Sequence, residues 1–87
     1  HTSPSIERSV LLRMGFSSIE SKNIVRYMVE NNLLPHGAGK VVLIYSELKK
    51  KNYLEAGKDL SEGIGWEEIV NYYRRNQNAN TRWKDKY

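Results

Sequence analysis

The stretch Leu33-Leu34-Pro35-His36-Gly37-Ala38-Gly39-Lys40 carries the residues best suited to chemistry, and an apolar run, Val41–Tyr45, follows it. A glycine-rich turn with a lysine can cradle phosphate, a histidine can ligate metal, and a helix start can hold an anion. The phosphate loop of nucleotide hydrolases needs an earlier glycine where Leu34 stands and a hydroxyl residue where Val41 stands, so that chemistry is excluded. A metal site needs partners, and the only other histidine is His1, with no ligand three or four residues from His36 on a helix. What survives is an anion held by the first backbone donors of a helix and by Lys40. Against it stands a plainer reading, which we prefer: Gly37 and Gly39 let the chain turn sharply between two helices.

Little else in the chain suggests catalysis. There is no cysteine, which removes thiol chemistry, disulfides and cysteine-rich zinc sites. Glu67 and Glu68 suit the first turn of a helix, where the dipole favours acids. Six tyrosines and two tryptophans make aromatic surface the more telling feature. Trp66 and Tyr73 share one helical face and suit a core, whereas Tyr72, about 100° away, can face outward toward a partner.

Five helical segments are expected to position these residues. Ser3-Pro4 starts the first, with Ile6, Val10, Leu11 and Met14 inward and Gly15 as the stop. Ser17 and Glu20 form a capping box for the second, whose inner face is Ile24, Val25 and Met28 and which ends at Asn31-Asn32. Val41–Tyr45 has the β-branched content of a strand, but no second strand-like run exists to pair with it. Val41, Ile44, Tyr45 and Leu48 also fall at helical spacing, so we assign a third helix. Asn52 caps a short fourth with Leu54 and Leu60 inward and Gly63 closing it. A fifth begins near Trp66, with Ile69, Val70 and Tyr73 inward. The expected fold is all-α: a small orthogonal bundle of four to five short helices over residues 1–76. Residues 77–87 are expected as an unstructured, polar, basic C-terminal tail.

With 87 residues the chain is a single small domain that buries only about 60% of its unfolded surface, and it needs a compact core or a partner. The net charge of +4 is that of the C-terminal end, where five cations from Arg74 onward face only Asp85. A basic end with aromatic residues can touch nucleic acid. A solvated terminus is the simpler reading, and nucleic acid is not the expected partner. No membrane-spanning run and no signal-peptide pattern are present, which makes a cytoplasmic location the expectation.

The ordered series "TSPSIERSVLLRMGFSSIESKNIV", "GAGK", "EAGKDLSEG" and "GWEEIV" resembles the small-subunit family of D-ornithine 4,5-aminomutase, from about Thr2 to Val70. The resemblance implies an isomerase that moves an amino group between neighbouring carbons of D-ornithine. It uses adenosylcobalamin as radical source and pyridoxal phosphate to carry the amine. Both cofactors are expected in a large catalytic subunit, and none on this chain alone. The chain is then a helical accessory subunit that contributes no catalytic residue and forms a hetero-oligomer with the large subunit. His36 and Gly39 reproduce the H-x-x-G of the large subunit's cobalt-binding motif, but Leu34 replaces its aspartate, so that role is not carried over. The candidate interface residues are Gly37, Gly39, Lys40, Trp66 and Tyr72. The alternative is a free-standing helical module that binds protein or nucleic acid.

Overall fold

Local capping explains most of the element boundaries in the computed structural model, which describes the backbone of residues 2–86 and the side chains of residues 2–76. Ser3 Oγ accepts from the Ile6 N–H at 3.3 Å and opens α1, Pro4–Met14, which Gly15 ends with φ +109°. The expected capping box opens α2, Ser18–Glu30. Ser17 Oγ accepts from the Glu20 N–H at 3.1 Å, and the Glu20 carboxylate accepts from the Ser17 N–H at 2.9 Å. Asn32 follows in the left-handed conformation at φ +58°. Asn52 Oδ1 accepts from the Leu54 N–H at 2.7 Å and caps α4, Tyr53–Ser61. Between them lies α3, Ala38–Lys49, preceded by a single 3-10 turn at Leu34–His36; α5 runs Trp66–Lys86. The domain is all-α, with five α-helices and no strand among the described residues. An unstructured tail is expected over residues 77–87, but the described backbone of α5 continues as helix through Lys86; the side chains from residue 77 onward lie outside the described residues.

The centre of the fold is α3, which packs against α1, α2, α4 and α5. Its buried residues are Ala38, Val41, Val42, Ile44 and Tyr45. A helix covered on several sides needs apolar residues around most of its girth, which accounts for the strand-like composition of Val41–Tyr45. Leu11, Ile24, Met28, Leu60 and Ile69 close around it, each fully buried. Phe16 and Leu33, in the connections after α1 and α2, complete the core.

Three residues expected inward are not. Ile6 is 55% exposed, Leu48 41% and Leu54 42%. On α1 the inward position passes from Ile6 to Glu7, which is 6% exposed, so the buried face is centred one residue further along than the apolar spacing implied. No described helix is long and apolar enough to cross a membrane.

Candidate functional site

The N-terminus of α3 already has its anion, and that anion is Glu7. Gly37 occupies the N-cap at φ +89° and ψ 132°, a conformation open to glycine and strained for other residues, and it has no side chain to cap the helix. The Ala38 N–H instead donates to Glu7 Oε1 at 2.6 Å, in a buried contact reaching 31 residues back along the chain. The Thr2 hydroxyl donates to Glu7 Oε2. This carboxylate lies in the first turn of α1 and against the first turn of α3, so the positive ends of two helix dipoles favour its charge. A hollow of about 270 Å³ beside it is lined by Thr2, Glu7, Leu34 and Pro35; the Thr2 hydroxyl and the Glu7 carboxylate are bonded to one another, and the carboxylate also to α3. The plainer reading of the glycine turn is therefore right for Gly37.

Gly39 plays a different part from the one expected. It lies within α3 without a positive φ, and a Cβ there would stand 3.3 Å from Met14 Sδ and 3.4 Å from Val10 Cγ1. It is a close-packing residue that lets α3 approach α1. Lys40, one residue on, is exposed.

His36 is exposed, yet its ring lies flat on Tyr73, with centroids 3.8 Å apart and planes 17° apart. Tyr73 in turn meets Tyr72 edge-on at 5.3 Å. This stack ties the 3-10 turn to α5 and brings the half-buried Tyr72 to the same end of the molecule as Gly37. The Tyr73 hydroxyl is buried with no hydrogen-bond partner among the described residues. Burial pushes its pKa up, with a smaller contribution from Tyr72. Trp66 stands apart. It is 5% exposed, its indole N–H donates to the Leu60 carbonyl at 2.8 Å, and its ring stacks on Tyr27 at 5.7 Å. It fastens α5 to the end of α4 and offers a partner almost no surface. The five expected interface residues are thus divided: Gly37, Gly39, Lys40 and Tyr72 near one end, Trp66 in the core.

Sequence reasoning missed Glu7. In the sequence it reads as an ordinary first-turn acid of α1, and only a buried position within an otherwise apolar face could have distinguished it. The described residues contain no cluster of three His, Asp or Glu side chains able to hold a metal.

A family model for the D-ornithine 4,5-aminomutase alpha-subunit matches residues 1–73. The chain belongs to that family. It is 46% identical over 74 residues to D-ornithine 4,5-aminomutase subunit alpha of Acetoanaerobium sticklandii. That alignment takes in 85% of this chain and 61% of the relative, so the chain spans about three-fifths of the relative's length. The matched region ends at Tyr73, and so includes both the Glu7–Ala38 contact and the His36–Tyr73 stack.

Proposed function

We propose that this chain is an accessory subunit of a cytoplasmic D-ornithine 4,5-aminomutase, and that it packs on a large catalytic subunit and supports its assembly. The family match across residues 1–73 carries this reading. Adenosylcobalamin and pyridoxal phosphate, the cofactors expected of such an enzyme, would supply the radical and the amine carrier from the large subunit.

The residues of this chain do not fit either group. His36 has H-x-x-G spacing to Gly39, but Leu34 stands where a carboxylate would be needed to orient its imidazole. A lysine that forms an imine must shed its proton easily. Lys49 and Lys51 do the opposite: their hydrogen bonds to Glu68 and Asp59 push their pKa values up. On this reading the chain contributes a folded surface, and the reacting groups belong to the large subunit.

The test is to co-express the chain with the large cobalamin-binding aminomutase subunit of the same genome. The two should co-purify, and isomerisation of D-ornithine should require both. A large subunit that is fully active alone and fails to retain the chain would overturn the reading.

A further inference from the structure

We propose that the groove between α1 and α2 is a docking site for an acidic, amphipathic segment of the protein partner; this rests on the accessory-subunit reading above. The groove holds about 390 Å³ and is lined by Pro4 and Arg8 of α1 and by Lys22, Val25, Arg26, Val29 and Glu30 of α2. The spacing is helical on both sides. Pro4 and Arg8 are four apart, and Lys22, Arg26 and Glu30 repeat at the same interval, so each set projects from one face.

The floor is apolar. Val25 is 3% exposed and belongs to the core, whereas Val29 beside it is 48% exposed. The edge is cationic, with Arg8, Lys22 and Arg26 against the single acid Glu30. Among the described residues neither Arg8 nor Lys22 stands within ion-pair distance of a carboxylate. Arg26 approaches Glu30 only at 4.0 Å, with both side chains more than half exposed. A pair that long and wet contributes little, so Arg26 is available to a partner.

Two cations without a carboxylate partner among the described residues, Arg8 and Lys22, thus stand over an apolar floor. A third, Arg26, is held only by the long Glu30 pair and by the Tyr27 ring 5.1 Å from its guanidinium carbon. Together they fit carboxylates spaced around one or two apolar anchors, with desolvation strengthening each ion pair. A polyphosphate or nucleic acid fits less well, because Glu30 would repel it and the valines would give it nothing. A second copy meeting this one groove to groove would set cationic edge against cationic edge, which disfavours it.

The test uses the intact chain and the purified large subunit, with affinity measured across a salt series. Arg8→Glu with Lys22→Glu should weaken binding by about tenfold or more and flatten its salt dependence. Val29→Asn should weaken it without changing the salt slope, and Lys58→Glu, exposed on α4, should do neither. Circular dichroism and melting of each variant establish that it is folded. If the wild-type chain binds and the double reversal binds equally well, the groove is not the docking site and the accessory role stands. If the wild-type chain does not bind, both fall. Salt-sensitive self-association or RNA binding that the double reversal abolishes would likewise overturn the proposal, assigning the groove to another occupant.

Discussion

Replacing Glu7 is the sharpest test of how the start of α3 is held. In Glu7→Ala the Ala38 N–H loses its acceptor at 2.6 Å, and a buried unsatisfied donor costs about 1–3 kcal/mol. The lost carboxylate–dipole interaction overlaps with that figure, being worth up to roughly 2 kcal/mol where partly buried. The hollow of about 270 Å³ beside the site admits water, which can satisfy part of the exposed demand. The net cost is therefore set near 2 kcal/mol, a large share of the roughly 4–13 kcal/mol expected for a chain this size. By the usual scaling the melting temperature should fall by about 8–16 °C.

Glu7→Gln separates charge from hydrogen bonding. Its amide oxygen can still accept from Ala38, and the Thr2 hydroxyl can turn to accept from the amide N–H, so about 1 kcal/mol or less should be lost. Formate or phosphate added to Glu7→Ala should restore part of the melting temperature and leave the wild type unchanged, because only the variant has the helix terminus free. Thermal melts by circular dichroism at matched ionic strength measure all three. A fall under about 3 °C for Glu7→Ala, which is well below 1 kcal/mol here, would refute the claim that this contact anchors α3 to α1.

Gly37→Ala should destabilise by about 1–3 kcal/mol through its backbone conformation alone, since the nearest atom to the new Cβ is 4.0 Å away. Gly39→Ala should cost less than Gly37→Ala in the same melts, because its φ is not positive and the new Cβ presses only on side-chain atoms, the flexible Met14 Sδ at 3.3 Å and Val10 Cγ1 at 3.4 Å. His36→Ala should cost about 0.5–1.5 kcal/mol through the lost stack on Tyr73, and equal stability of the variant would show that the stack contributes nothing. Stability should also fall as the pH rises above about 10. Burial pushes Tyr45 and Tyr73 up, and hydrogen bonds to Glu68 and Asp59 push Lys49 and Lys51 up. A group whose pKa is raised on folding contributes fully below its unfolded value and loses that contribution as the pH climbs through the folded one. Chemical denaturation at pH 8 and pH 10.5 reads the difference, which Tyr45→Phe should reduce.

What the sequence made legible was mostly local. The Ser17–Glu20 box, the Asn52 cap and the left-handed residues Gly15 and Asn32 each depend on a few neighbouring residues, so their spacing alone announces them. The family was legible too, because a long ordered series of segments is more specific than any single motif. The site was less so. The Glu7–Ala38 bond joins residues 31 apart, and Gly39 is small because of Val10 and Met14, neither of which the turn pattern mentions. Periodicity identifies an apolar face and says nothing of which neighbour will cover it.

That limit has a direction. Ile6, Leu48 and Leu54 have core-like spacing and yet stand 41–55% exposed, while Leu11, Phe16, Leu33 and Tyr45 complete the core without them. Scattered exposed apolar residues are ordinary on a folded domain. Here, however, they are the positions at which helical patterning and the folded monomer disagree, and such disagreements concentrate where a chain is shaped by something besides its own core. On α1 the isolated fold uses the buried carboxylate of Glu7, which accepts from the Ala38 N–H, and leaves Ile6 beside it in water. On the proposed accessory-subunit reading, both residues would have a use. Glu7 fixes α3 against α1 from within, and the apolar side chains left outside would lose their contact with water on assembly.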